Sequence, residues 1–206
     1  TLYNGMMTHA DLKKVDFSHV KIACAGGMAL QTAVAKRWHE MTGTEIAEGY
    51  GLTETSPLLT SNVFEGAVRL GTIGIPVSST EIRILDENEE KVATGERGEI
   101  CAKGPQVFPG YWNKEEESKK CFTQNGEWFK TGDVGVMDED GFVRIVDRKK
   151  DMILVSGFNV YPNEIEEVVA SHPKVLEVAA IGVPDAKSTE VVKLFIVKKD
   201  ASLTEE

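Results

Sequence analysis

The segment Glu48-Gly49-Tyr50-Gly51-Leu52-Thr53-Glu54-Thr55-Ser56-Pro57 carries the strongest indication of fold in this sequence of 206 residues. Its glycines let the backbone approach a ligand closely, and Tyr50 between them offers a flat face to a base. Glu54 is of the type that binds Mg²⁺ beside phosphates, because that ion takes hard carboxylate oxygens. Three hydroxyl side chains can donate hydrogen bonds to phosphate oxygens: Thr53, Thr55 and Ser56. A glycine-rich turn capped by threonines is an equally good interpretation of the residue types alone.

An alternation of strand, helix and strand leads into this segment. Residues 20–25 form a short apolar run, Gly26-Gly27 breaks it, and residues 29–41 have the pattern of a helix that ends at Gly43. Residues 45–48 then predict a second strand. This order predicts an α/β arrangement near a nucleotide site, where loops leave the carboxyl ends of strands.

After the segment, short β-runs separated by turn residues predict a β-rich subdomain over residues 56–147. One charged helix is expected at residues 114–120, and residues 138–141 predict a hairpin connection in which Gly141 takes positive φ. The β-runs are residues 81–85, 98–103, 134–137 and 142–146.

The hydrophobic period changes again after the charged stretch Arg148-Lys149-Lys150-Asp151. A strand is predicted at residues 152–155, followed by a helix that Pro162 can begin, and then by β-runs at residues 177–183 and 191–198. Four residues of this helix fall at i, i+3, i+4 and i+7, the spacing of one face: Ile165, Val168, Val169 and His172. This pattern predicts a small α+β unit, joined through a hinge.

Composition excludes several classes of protein. The net charge of −10 and the pI near 5.0 exclude a general nucleic-acid binder, which needs a clustered basic surface. The three cysteines are odd in number and widely spaced, so they match neither a disulfide framework nor a zinc site. The histidines show no pairing, and no zinc is expected. No apolar run is long enough to span a bilayer and no signal peptide opens the chain, so a cytoplasmic protein is expected.

Both ends are interpreted as cut. Thr1 is not an initiator methionine, and Ser202-Leu203-Thr204-Glu205 has the pattern of a capping box whose helix does not follow. We therefore expect a fragment of a longer protein; a solvated tail is an equally good interpretation of the last residues.

Gly49-Tyr50-Gly51-Leu52-Thr53-Glu54-Thr55 resembles the core motif of the adenylate-forming (ANL) superfamily, which contains acyl-CoA synthetases, luciferases and peptide-synthetase adenylation domains. Gly26-Gly27 followed by Leu30 resembles the adenine-side loop of that superfamily. Thr131-Gly132-Asp133 resembles its ribose-binding turn, and Asp147-Arg148-Lys149-Lys150-Asp151 resembles its interdomain hinge.

Two longer stretches narrow the resemblance, which covers essentially the whole chain. Residues 125–133 and 143–149 are similar to the fatty-acyl-CoA synthetase signature, from which Glu127 departs as a one-residue insertion that leaves Asp133 in place. Residues 156–166 are closest to bacterial long-chain fatty-acid-CoA ligases. The resemblance implies that residues 1–147 are the C-terminal part of the large AMP-binding domain, with an α/β piece at 1–55 and a β-barrel-like subdomain at 56–147. Residues 148–206 would then be a truncated, small α+β C-terminal domain after the hinge.

Site residues follow from the resemblance, position by position. Asp133 is expected to accept both ribose hydroxyls, and Arg148 to bind the sugar or a phosphate as a fixed fork of donors. Lys150 marks the turning point of the hinge, and Gly157 lines the path of the pantetheine arm, although a hairpin glycine fits equally well. The implied catalytic residues are Thr53, Glu54 (also the Mg²⁺ ligand) and Arg148. The implied cofactor-binding residues are Gly26, Gly27, Glu48, Gly49, Tyr50, Gly51, Thr53, Asp133, Arg148, Lys150 and Gly157.

The resemblance implies an ATP-dependent ligase that uses Mg²⁺, forms an acyl-adenylate from a long-chain fatty acid and transfers the acyl group to CoA. A phosphate loop and a catalytic lysine of the family are not found, so the isolated chain is expected to be inactive. We expect peripheral association with the cytoplasmic membrane face, where such substrates partition, and leave the oligomeric state open. The alternatives are another adenylate-forming enzyme, such as an aryl-CoA ligase or a luciferase-like protein, and a nucleotide-binding module without turnover.

Overall fold

Two compact units divide the chain in the computed structural model, which describes residues 2–28, 30–62, 68–200 and 202–204. Unit 1 comprises Thr1–Thr131 and Val136–Ile145, and unit 2 comprises Gly132–Gly135 and Val146–Glu206. Glu205 of the expected capping box lies outside the described residues. No described helix is long and apolar enough to cross a membrane.

The first sheet of unit 1 has the strand order β1-β2-β3-β4. Strand β1 (Ala23–Ala25) pairs in parallel with β2 (Ile46–Gly51), and helix α2 (Thr32–Thr42) connects them. The α/β prediction is therefore confirmed, although β2 is longer than expected and the predicted start of the helix at Ala29 lies outside the described residues. Two short antiparallel strands that were not predicted complete the sheet: β3 (Leu58–Ser61) and β4 (Ile75–Pro76).

Helix α2 ends as its sequence predicts and packs on an aromatic core. Gly43 has φ 70°, and its N–H donates to the carbonyl of His39 at 2.8 Å. Trp38 is 3% exposed, and the rings of Tyr3 and Phe17 meet it edge-on at centroid distances of 4.9 and 5.5 Å. Tyr3 lies on helix α1 (Leu2–Thr8), which was not predicted.

The second sheet has the order β5-β6-β7-β8 and confirms the β-rich prediction. Among the described residues its strands form no closed barrel, so the region is an open sheet rather than a barrel-like one. Its apolar core includes Ile84, Ile100 and Val143. The strands are β5 (Glu81–Leu85), β6 (Gly98–Lys103), β7 (Phe129–Met137) and β8 (Val143–Arg148); helix α3 (Glu115–Lys120) precedes β7.

The hairpin between β7 and β8 forms as predicted. The Asp138 N–H donates to the carbonyl of Phe142 at 3.0 Å, and Gly141 has φ 84°. The guanidinium of Arg69 pairs with Asp138 and with Asp140 and lies 4.0 Å from the ring centroid of Phe142. One arginine thus ties the hairpin to the loop that precedes β4.

Unit 2 is an α+β unit whose sheet has the order β10-β9-β12-β11. Pro162 occupies the first turn of helix α4, as predicted. Strand β10 was not predicted; it returns on β9 through a two-residue turn in which Ser156 and Gly157 have φ 51° and 85°, the values of a tight hairpin turn. The elements are β9 (Ile153–Val155), β10 (Phe158–Val160), α4 (Pro162–Ala170), β11 (Val175–Asp185) and β12 (Thr189–Lys198).

Candidate functional site

The glycine-rich segment lies at the carboxyl ends of the parallel strands β1 and β2. A Cβ placed on Gly26 would lie 3.0 Å from the carbonyl oxygen of Gly49, so the two backbones are nearly in contact. A Cβ on Gly51 would lie 1.6 Å from the carbonyl oxygen of Pro57, a distance that no side chain can occupy. These glycines are therefore required by close backbone approach, at the edge of the sheet where ligands of α/β folds bind.

Glu48 connects the loop after β1 to strand β2. Its side-chain Oε1 accepts a hydrogen bond from the Leu30 N–H at 3.0 Å, and the residue is 9% exposed. Burial raises the pKa of the Glu48 carboxyl, and the hydrogen bond from Leu30 offsets part of that shift. Gly27, in the same loop as Leu30, has φ 80° and leaves open space where a side chain would lie. Glu48 thus shapes the loop expected to face the adenine.

Tyr50 belongs to the hydrophobic core as well as to the motif. The residue is 9% exposed and clusters with Leu59 and Val143. Packing in the core therefore covers most of the surface of Tyr50. Its role as a stacking face for a base stays a prediction.

Thr55 has a structural role instead of the expected phosphate contact. It is fully buried, at 0% exposure, in the 3₁₀ turn Thr53–Thr55. Its Oγ1 accepts from the Leu52 N–H at 2.9 Å and donates to the carbonyl of Pro57 at 2.6 Å. The interpretation of this hydroxyl as a phosphate donor is wrong, because the turn uses it internally. Thr53 and Ser56 are exposed and keep that interpretation.

Glu54 is held at two points by the loop that precedes α3. Its side-chain Oε1 accepts a hydrogen bond from the Tyr111 hydroxyl at 2.6 Å, and its backbone carbonyl accepts from the Phe108 N–H at 2.8 Å. The hydrogen bond to Glu54 is the main cause that raises the pKa of Tyr111, which therefore stays protonated. The sequence alone did not indicate Tyr111, because it follows Glu54 by 57 residues in an unremarked loop.

The surroundings of Glu54 fit Mg²⁺ only as a partner of phosphates. Within the described parts of the chain, no group of three or more His, Cys, Asp or Glu side chains is placed to hold a metal. Mg²⁺ is commonly bound through one or two carboxylates together with substrate phosphates and water. A single carboxylate beside exposed hydroxyls therefore suits a nucleotide-bound ion rather than a resident one.

Asp133 and Arg148 come together in unit 2, as neighbours on β7 and β8. The Lys149 N–H donates to the carbonyl of Gly132 at 2.8 Å, and this pairing places Nε of Arg148 3.7 Å from Oδ1 of Asp133. The Asp133 side chain is 12% exposed and the Arg148 side chain 61%. The mostly exposed guanidinium of Arg148 can therefore reach a ligand while it stays beside the largely buried carboxylate of Asp133.

Asp147 is a functional candidate that sequence reasoning used only as part of the hinge motif. It is 3% exposed. Its Oδ1 accepts from the Arg148 N–H at 2.7 Å and its Oδ2 accepts from the Asn163 N–H at 2.9 Å. One buried carboxylate therefore fixes the backbone of Arg148 and satisfies an amide in the first turn of α4. The signal that could have found it is an aspartate before a charged turn and a Pro-Asn helix start.

The remaining predicted residues of unit 2 lie in turns. Lys150 is exposed in the turn closed by the Asp151 N–H and the carbonyl of Arg148 at 3.1 Å. Gly157 is exposed in the tight turn between β9 and β10, with open space where a Cβ would lie. The hairpin alternative for Gly157 is confirmed, and its contact with a pantetheine arm stays a prediction.

Comparisons with known proteins show which proteins the chain is similar to. Residues 1–112 match the family described as AMP-binding enzyme, and residues 164–206 match the AMP-binding enzyme C-terminal domain. The chain is 53% identical, over all 206 residues, to a long-chain-fatty-acid–CoA ligase of Escherichia coli O6:H1, of whose length it spans 36%. It is 36% identical over 203 residues, 98% of the chain, to a feruloyl-CoA synthase of an Amycolatopsis species, of which it spans 41%. The crystal structure of ATP-bound MatB from Rhodopseudomonas palustris is similar at a TM-score of 0.93 and 37% identity, over 98% of this chain and 40% of that one.

Proposed function

Because the chain belongs to the family of AMP-binding enzymes, we propose that it is part of an AMP-forming long-chain fatty-acid-CoA ligase. The observation that carries the proposal is the 53% identity, over the whole of this chain, to a relative of that name. The feruloyl-CoA synthase supports an aryl-CoA ligase as the second candidate, at a lower identity of 36%. The proposed substrates are a fatty acid, ATP and CoA, and the proposed place of action is the cytoplasmic face of a membrane.

The reaction that we propose activates an unreactive acid in two displacements. A fatty carboxylate is a poor electrophile because it is anionic and lacks a good leaving group. One carboxylate oxygen attacks the α-phosphorus of ATP, pyrophosphate leaves, and an acyl-adenylate forms. The CoA thiol then loses its proton and attacks the acyl carbon, and AMP leaves. Catalysis of the first displacement depends mainly on positioning and on the neutralisation of phosphate charge.

In unit 1, backbone and side-chain groups have separate roles in this scheme. The close approach of Gly26 and Gly49 leaves no side chain between the backbone and a flat base. Thr53 would donate a hydrogen bond to a phosphate oxygen. Mg²⁺, when bound with the nucleotide, would neutralise phosphate charge, and Glu54 is the residue that would hold it.

In unit 2, Asp133 and Arg148 are the proposed contacts to the sugar and phosphate. A largely buried carboxylate can accept two ribose hydroxyls, and the guanidinium fork can donate to an oxyanion. Asp147 would keep the backbone of Arg148 in place through its bond to the Arg148 N–H. Lys150 and Gly157 are proposed to act later, at the hinge and along the CoA arm.

Calorimetric titration with non-hydrolysable acyl-adenylate mimics tests the proposal. We expect the chain to bind a palmitoyl sulfamoyl-adenosine more tightly than the feruloyl analogue, and Asp133→Ala to weaken binding about 10- to 100-fold through the loss of charged hydrogen bonds. Asp200→Ala is the matched control, because Asp200 is exposed in unit 2 and its side chain accepts from the nearby Ser202 N–H. Absence of binding by the parent chain would contradict the proposal, and tighter binding of the feruloyl mimic would favour the aryl candidate.

A further inference from the structure

Two hydrogen bonds anchor the loop between β6 and α3 to Glu54. The Phe108 N–H donates a hydrogen bond to the backbone carbonyl of Glu54 at 2.8 Å, and the Tyr111 hydroxyl donates one to the Glu54 carboxylate at 2.6 Å. The backbone and the side chain of one residue are thus held by two residues of the same loop. Two separate hydrogen bonds restrict both the position and the rotamer of Glu54.

Tyr111 is itself held in place, so it can transmit that restraint. Its N–H donates to the Oγ of Ser118 in α3 at 2.8 Å. Its ring meets Phe108 edge-on at a centroid distance of 4.9 Å, and Phe108 packs in turn against the rings of Phe122 and Phe129. A tyrosine ring has only two side-chain torsions. Although Tyr111 is 40% exposed, the hydrogen bond of its backbone to Ser118 and the contact of its ring with Phe108 together direct the hydroxyl.

We propose that Tyr111 is a positioning residue, whose hydroxyl orients the Glu54 carboxylate so that it can bind the Mg²⁺ of Mg²⁺-ATP; the inference rests on the proposed function. Carboxylates that bind metals are commonly oriented by an outer hydrogen-bond donor. The bond from Tyr111 engages Oε1, and the metal would take the other oxygen of the carboxylate. Through Tyr111, the loop between β6 and α3 thereby has a role at the nucleotide site.

The variant Tyr111→Phe tests this role, because it removes the hydroxyl and keeps the ring that packs on Phe108. ATP binding is titrated by calorimetry with excess Mg²⁺ and again with EDTA. We expect the Mg²⁺-dependent gain in ATP affinity to fall about tenfold. Binding of the acyl-adenylate mimic, which has no β- or γ-phosphate for the metal, is expected to be unchanged. Trp112→Phe is the matched control, since Trp112 is the next residue and is 89% exposed.

A cycle with Glu54→Gln separates positioning from a general structural effect. If Tyr111 acts through Glu54, Tyr111→Phe has no further effect on the Mg²⁺-dependent gain once Glu54 is replaced. The inference is overturned if Tyr111→Phe keeps the full Mg²⁺-dependent gain in ATP affinity. It is also overturned if Tyr111→Phe weakens binding of the adenylate mimic as much as it weakens that gain. A parent chain that binds the mimic but shows no Mg²⁺-dependent gain overturns the inference and leaves the proposed function standing. Failure to bind either ligand overturns both.

Discussion

Replacement of Gly51 by alanine places a methyl group where the backbone of the next strand already lies. The added Cβ would be 1.6 Å from the carbonyl oxygen and 2.6 Å from the carbonyl carbon of Pro57. A normal carbon–oxygen contact is roughly twice the shorter distance, so the two backbone segments must move apart. That movement would disturb the pairing of Gly51 with Leu58 and the hydrogen bond from Thr55 to the Pro57 carbonyl.

The cost can be estimated from these parts. Overpacking in a well-packed region costs about 1–3 kcal/mol, and each lost hydrogen bond about 1 kcal/mol. With the loss of the Thr55 hydrogen bond added to the overpacking cost, we expect Gly51→Ala to lower the free energy of unfolding of unit 1 by about 2–4 kcal/mol. For a urea dependence of about 2 kcal/mol per M, the unfolding midpoint would fall by about 1–2 M.

Tryptophan fluorescence during urea titration is the assay, because all three tryptophans lie in unit 1. Trp38 and Trp128 are each 3% exposed, so their emission reports the unfolding of that unit alone. Gly5→Ala is the matched control: Gly5 lies in helix α1 with open space around its Cβ position, and alanine there should stabilise the helix by about 0.5–1 kcal/mol. A wild-type midpoint for Gly51→Ala would show that the close approach to Pro57 is wrong.

Three further outcomes follow from buried polar groups. Thr55→Val should destabilise unit 1 by about 1–3 kcal/mol in the same fluorescence assay, since it leaves buried backbone groups without their partner. The folded-state pKa of Glu48 is raised, so the contribution of its carboxyl to the free energy of unfolding is fully present below the ordinary glutamate pKa. That contribution is lost as pH rises through the folded-state pKa, and the urea midpoints of Glu48→Gln should not show the loss. Asp147→Ala should speed hydrogen exchange at the Asn163 amide about 10-fold or more, as measured by NMR.

Each of these outcomes has a control that separates it from general damage. Thr8→Val removes an exposed hydroxyl that donates to the Gly5 carbonyl within helix α1, and it should change the free energy of unfolding by less than about 0.5 kcal/mol. Glu87→Gln is the control for Glu48, because Glu87 is exposed. An effect of Asp147→Ala spread evenly over all amides of unit 2, instead of centred on Asn163, would contradict the assigned contact.

Local signals in the sequence predicted many of the elements. The bounds of β5 and β6 match the predicted runs, Gly43 ends α2 in the left-handed conformation, and Gly141 takes positive φ in the hairpin. Each of these features depends on neighbouring residues, through alternation, capping or the freedom of glycine. The prediction failed for α1 and for the short strands β3, β4 and β10, which are too brief for a clear period.

The motif that placed the chain in its family is likewise a local feature, because its glycines are required by the path of the backbone around them. Side-chain roles depend on what packs against each residue from elsewhere in the chain. Only the tertiary structure showed that most of the Tyr50 surface is buried and that Tyr111 meets Glu54 across 57 residues. The sequence by itself determined the strand-helix-strand order and the family motif, whereas long-range packing decided which of the motif's side chains face inward and which remain for a ligand.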